Sequence, residues 1–121
     1  MGYRSEVMAV FYTTESKAAA LKLYMDENFP EELEDSLRPI DNGHYMGFMF
    51  HESDVKWYPD FSEVIAFNKF VSNYLELAEQ EEIAWAYEFV RIGEESDDIE
   101  EMSSDYADYQ LRVVRTIDSD F

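Results

Sequence analysis

The chain has 121 residues, enough for one domain with a single core, and its nine Tyr, nine Phe and two Trp supply that core, so it is not a disordered acidic tail. Twenty-eight Asp and Glu against nine Lys and Arg leave a formal net charge of -19, which makes free nucleic acid and anionic membrane surfaces poor partners through like-charge repulsion. The sequence has no Cys, hence no disulfide or thiolate metal site, and it shows neither a signal-peptide core nor an apolar run of membrane-spanning length, so a soluble cytoplasmic protein is expected.

Arg4 to Thr13 alternates, with Val7, Ala9 and Phe11 on one face and Met8, Val10 and Tyr12 on the other. Apolar residues on both faces predict a central strand. Thr13 or Thr14 is placed to cap the next helix, with Glu15 in its first turn. Ala18, Leu21, Met25 and Phe29 recur at three- and four-residue steps as one helical stripe, and Pro30 ends the pattern or restarts a short helix through Glu31 to Leu37.

Pro39 to Gly43 reads as a turn, with Asn42-Gly43 its strongest signal. His44 to Phe50 is a strand, and Asp54 to Tyr58 is either a second strand or the end of one long bent strand. Asp60 is expected to cap the best helix of the chain in a capping box with Glu63, and Val64, Phe67, Val71, Tyr74, Leu75 and Ala78 form its buried stripe.

After a polar break at Glu79 to Glu82, the segment Ile83 to Ile92 carries bulky Trp85, Tyr87 and Phe89 on one face and small Ala84, Ala86 and Val90 on the other, a strong strand that Gly93 stops. A last strand is predicted over Tyr109 to Ile117, with Leu111, Val113 and Ile117 on one side. The order of elements predicts a single α+β domain over 1-121, a four- to five-stranded antiparallel or mixed sheet with two main helices packed on one face.

Between those last two strands lies Glu94 to Asp108, in which eight of fifteen residues are acidic and none is basic. Within it Ile99 and Met102 stand three apart, allowing a turn or two of helix in an otherwise solvated connection. Like charge at this density destabilises the folded chain by self-repulsion unless a positive surface relieves it. The candidate partner-binding residues are therefore Glu94, Glu95, Asp97, Asp98, Glu100, Glu101, Asp105 and Asp108, with Tyr106 as an aromatic anchor. Further acids cluster at Asp26-Glu27, at Glu31, Glu32, Glu34 and Asp35, and at Glu76, Glu79, Glu81 and Glu82, at helix ends where side chains point outward. An ordinary solvated face is the competing explanation. The magnitude weighs against it: duplex DNA carries one charge per about 1.7 Å of axis, so 28 carboxylates match about 48 Å of duplex, roughly 14 base pairs.

Other chemistries find little support. The acidic connection lacks the spacing and the loop Gly of an EF-hand. His44 and His51 are seven apart, on opposite faces of one regular strand, which disfavours a shared metal. Pro39-Ile40-Asp41 followed by Asp54-Val55-Lys56 resembles the proline-aspartate and acid-x-lysine arrangement of metal-dependent nucleases, two carboxylates to hold Mg²⁺ and a lysine to stabilise charge. With four Gly there is no phosphate-cradling loop, no serine nucleophile is signalled, and no cofactor is expected.

The opening MGYRSEV, the small size and the extreme acidity resemble small bacteriophage-encoded proteins, and in character the chain is similar to the acidic DNA mimics that block restriction, CRISPR or other nucleic-acid-handling machinery. That resemblance rests on charge and size over the whole chain and carries no residue roles. It implies a non-enzymatic inhibitor in the host cytoplasm whose partner is a basic nucleic-acid-binding protein. The alternatives are an immunity- or antitoxin-type inhibitor of one nuclease, and a metal-dependent enzyme using Asp41, Asp54 and Lys56. A homodimer would cover apolar aromatics and strand edges, although no sequence feature specifies it.

Overall fold

The computed structural model describes residues 4–41, 43, 45–80, 83–94 and 98–104. Strand β1, Ser5–Thr13, is followed by a 3-10 turn at Glu15–Lys17 and helix α1, Ala18–Asn28. A second 3-10 helix, Glu31–Ser36, leads into β2, Leu37–Asp41, and β3, Met46–Val55. Helix α2, Ser62–Ala78, then precedes β4, Ala86–Ile92, and β5, Ile99–Ser103. The five strands form one sheet in the order β2-β3-β1-β4-β5, and every pairing is antiparallel. The fold is α+β, and β1 is its central strand because both of its faces are apolar.

The face of β1 that carries Val7, Ala9 and Phe11 packs beneath the helices. Phe11 sits at the centre of an aromatic cluster, its ring centroid 5.1 Å from Tyr74 and Tyr87, 5.5 Å from Phe70 and 6.2 Å from Phe29. Leu21 and Met25 of α1, Phe29 just beyond it and Leu33 of the 3-10 helix close one side. Val64, Phe67, Val71, Tyr74 and Ala78 of α2 are buried as the 3.6-residue period predicts, whereas Leu75 is half-buried and Phe70, outside the predicted stripe, joins the core. On the opposite face Val10, Tyr12 and Ala86 form a smaller cluster with Ile40, Tyr45 and Met49.

Two tyrosines of the core hold their protons more tightly in the folded chain than in the unfolded one. Burial raises Tyr74 well above the ordinary tyrosine value, with Tyr12, Tyr24 and Tyr87 adding to the shift, and burial likewise raises Tyr87. Their contribution to stability is complete below about pH 10 and declines as pH rises further, because only the unfolded chain then releases those protons. Each phenol should steepen the loss by up to about 1.4 kcal/mol per pH unit. Urea midpoints measured on either side of pH 10 should fall faster for the wild type than for Tyr87→Phe; parallel curves would contradict this.

Several local expectations are corrected by tertiary contacts. Thr13 lies inside β1, and Thr14, although it flanks the 3-10 turn, makes no side-chain cap; its hydroxyl meets Ser16 Oγ at 3.4 Å. Asp60 does not cap α2, which starts beyond Phe61 with no side-chain cap, so the Asp60/Glu63 box is absent. The Phe61 N–H instead donates to the Tyr58 carbonyl at 3.0 Å and the two rings meet edge to face at 5.0 Å, which delays helix entry. Pro39 to Asp41 belongs to β2 and not to a turn; β2 is an outer strand, where a residue without an N–H is tolerated.

The turn signal survives just beyond it, where Gly43 has φ +89° and its N–H donates to Asp41 Oδ1 at 3.0 Å. Of the two readings for 54–58, the structure has the single bent strand, β3, which ends at Val55 and leaves 56–58 outside it, with an irregularity opposite Ser5 to Val7 and Asp54 at φ 56°. Ile83 to Trp85 form the turn before β4, with Ala84 donating to Gln80 O at 2.8 Å. The helical turn expected at Ile99 and Met102 is a strand, β5, because the backbone groups of β4 from Glu88 to Ile92 pair with it. Asn42, His44, Glu81, Glu82 and the predicted strand Tyr109 to Ile117 lie outside the described residues.

Candidate functional site

The acidic connection begins as a short hairpin. Gly93 donates its N–H to the Asp98 carbonyl at 2.7 Å, and β5 then runs back along β4 in a register that sets Arg91 opposite Glu100. Arg91 is the cation that holds this hairpin. Its Nη2 donates to Asp98 Oδ1 at 2.6 Å, its Nη1 to Asp98 Oδ2 at 3.3 Å and to Ser5 Oγ at 2.9 Å, and its Nε to Glu100 Oε1. Its side chain is 12% exposed. Burial opposes its charge, but the bonds to Asp98 and Glu100 outweigh that and raise the guanidinium above its ordinary value.

The predicted binding residues therefore divide. Asp98 is half-buried and held by Arg91, Glu100 is exposed yet also held, and Glu94 and Glu101 are exposed with no ion pair to a described cation. Glu95, Asp97, Asp105, Tyr106 and Asp108 lie outside the described residues. Arg91, which organises this network, is unmarked by the sequence pattern, since it lies near the end of a strand whose pattern reads mainly as core. Its signal was being the one cation of β4, directly before a run of carboxylates.

Replacing Arg91 by Met should lower stability by about 1–3 kcal/mol, discounted because Glu100 can return to water while Asp98 only partly can. Hydrogen exchange should show the loss concentrated in β5, and an unchanged denaturation midpoint would contradict the tether.

Beside this network, between α2 and the β4–β5 pair, a groove of about 390 Å³ opens. Val64, Val71, Phe89, Met102 and Trp57 supply its apolar lining, and Asp98 and Glu100 line it beside Arg91; Glu101 pairs with Val90 and so directs its side chain to the other face of the sheet. The other acids stand on regular elements: Asp26 and Glu27 in the last turns of α1, Glu31, Glu32, Glu34 and Asp35 on the 3-10 helix, and Glu63, Glu76 and Glu79 on or beside α2, all exposed. Of these, Asp26 pairs with Lys22 at 3.0 Å, an exposed i,i+4 contact worth little. Leu33 anchors the 3-10 helix by its burial, so its four carboxylates are held outward on a fixed backbone.

The nuclease-like residues do not converge. Asp41 pairs with Met46 at the start of β3, and Asp54 stands eight residues further along that strand, about 26 Å away at about 3.3 Å per residue. One Mg²⁺ cannot bridge that distance. His51 Nε2 meets Glu6 Oε2 at 2.8 Å across β1 and β3, a half-buried pair, and no group of metal-ligating side chains gathers among the described residues. Nor is any described helix long and apolar enough to cross a membrane. No protein-family model matches the chain, and no curated protein or solved structure matches it.

Proposed function

We propose that the protein is a non-enzymatic inhibitor that lays its carboxylate surface on the basic nucleic-acid-binding site of another protein, in the manner of a DNA mimic. The observation that carries this reading is the 3-10 helix Glu31–Ser36, where four exposed carboxylates surround the buried Leu33. At about 2 Å rise per residue, six residues cover about 12 Å of axis, or one carboxylate per about 3 Å, against an axial rise of about 3.4 Å per phosphate of one DNA strand. Charges held at that pitch on a fixed backbone occupy a phosphate-binding surface without the ordering cost of a flexible tail.

A compact pair of carboxylates, Asp98 and Glu100, clamped by Arg91, favours the alternative of an inhibitor that plugs the site of a single nuclease. The two differ in salt response: an extended charged face loses affinity steeply as salt rises, whereas a few buried contacts hold.

Capture from a bacterial lysate at low salt, followed by a salt gradient, yields the candidate partner, and duplex DNA is then titrated against the purified complex. Mimicry predicts mutually exclusive binding of DNA and of this protein. A ternary complex, or retention only of basic proteins indifferent to DNA, would overturn it.

A further inference from the structure

We propose that Met102 is an oxidation site, the methionine that, among the described residues, a hydroperoxide converts first to its sulfoxide, and that this modification loosens β5. The inference is independent of the carboxylate reading above. It begins with access to sulfur. Met8 and Met25 are buried in the two apolar faces of the fold, Met46 and Met49 are half-buried, and Met102 is 50% exposed. Met49 is shielded further by Arg38, whose Nη2 meets its Sδ at 3.9 Å. A thioether reacts only when a peroxide oxygen reaches its lone pair, so susceptibility follows the same order.

The peroxide alone balances the reaction. The Met102 sulfur attacks the outer oxygen of the hydroperoxide, the O–O bond breaks, and that oxygen stays on sulfur. The remaining fragment takes up the proton and leaves as water or an alcohol. Sulfur is oxidised by two electrons and the peroxide is reduced by two.

The consequence follows from where Met102 stands. The β4–β5 register sets Met102 opposite Phe89 and Glu100 opposite Arg91, so both side chains lie on the helix side of the sheet. Ile99, Glu101 and Ser103 alternate to the other side. Met102 is therefore the one apolar side chain that β5 lays on the groove lined by Val64, Val71 and Phe89. The clamp of Arg91 on Asp98 and Glu100 is the second attachment on that side. Among the described residues β5 is an outer strand paired with β4, so it has little else to hold it. A sulfoxide is polar and favours water, so oxidation removes the apolar attachment and leaves the clamp.

The test treats the folded protein with a graded series of hydrogen peroxide and maps oxygen uptake by mass spectrometry of its peptides. Met102 should be oxidised about tenfold faster than Met46 or Met49, with Met8 and Met25 slower again. Hydrogen exchange reads the effect on the fold. The β5 amides should exchange about fivefold faster once Met102 is oxidised, because a half-buried methionine forfeits about half the transfer energy of a fully buried one, while α1 and α2 keep their protection. Methionine sulfoxide reductases of both stereospecificities should restore the original rate. Met102→Leu, which keeps the apolar volume and removes the sulfur, should make β5 indifferent to peroxide.

Oxidation of Met46 or Met49 ahead of Met102 would overturn the site. Unchanged β5 exchange at full conversion of Met102, or an equal rise in the peroxide-treated Met102→Leu variant, would overturn the loosening.

Discussion

Replacing Gly47 by Ala should cost more than about 3 kcal/mol and lower the melting temperature by roughly 10 °C or more, as far as a one-carbon change can act on a chain of this size. Gly47 lies buried in β3 opposite Tyr12 of β1 and Ile40 of β2, with a strand paired on each side. A Cβ built there would collide with the Phe11 carbonyl oxygen and stand 2.6 Å from Tyr12 Cα and 2.9 Å from the Phe11 carbonyl carbon. These are backbone atoms, so no rotamer change relieves the contact. Relief requires β1 and β3 to separate, which would displace Phe11 from the rings of Tyr74, Tyr87 and Phe70. Thermal unfolding followed by near-ultraviolet circular dichroism, which reports the aromatic cluster, reads the effect directly. A variant that melts within a few degrees of the wild type would show that the strands can open there without loss, and the account of the core would be wrong.

The second large effect concerns binding. Neutralising Glu31, Glu32, Glu34, Asp35, Glu94 and Glu101 to their amides should weaken the complex with a basic partner by about 100-fold. Six exposed charges at about 0.5 kcal/mol each amount to about 3 kcal/mol, and 1.4 kcal/mol is a factor of ten. The domain should stay folded, because these six are exposed and form no ion pair with a described cation, and removal of like charge relieves repulsion.

A different set, Asp98 with Glu100, behaves in the opposite way. Those carboxylates bind Arg91, so their amides should loosen β5 and lower stability as well as affinity. Comparing the two sets at several salt concentrations separates charge presentation from structural tethering. If the six-fold variant binds as the wild type does, the exposed carboxylates are solvated surface and the proposed function is wrong.

The placement of charge explains how much of this was legible beforehand. The stripes Leu21, Met25, Phe29 and Val64, Phe67, Val71, Tyr74 follow a 3.6-residue period, and burial of one face is all a helix needs to appear in a sequence. β1 was equally plain, since apolar residues at every position from Val7 to Tyr12 require cover on both sides. Helix starts were less so. Thr14 and Asp60 have the chemistry of caps, but the chain enters α1 through a 3-10 turn and α2 through the Tyr58–Phe61 contact, both set by what surrounds them. β5 is hidden in the sequence for the same reason. Ile-Glu-Glu-Met-Ser carries no strand pattern of its own, and it becomes a strand because β4 offers unpaired backbone groups and Arg91 attracts its acids.

The class of the fold, the aromatic core, the large negative charge and the outward placement of the acids on helices are written in the linear chain, because each follows from composition or from a local period. Which carboxylates stand exposed and which are held follows from the folded arrangement alone. That division depends on Arg91, seven residues from Asp98 along the chain yet within hydrogen-bond distance of it, and on the gap between α2 and β5 that no local pattern encodes. Charge is a sum over residues, whereas a site is a set of distances, and the distances arise only when the strands pair.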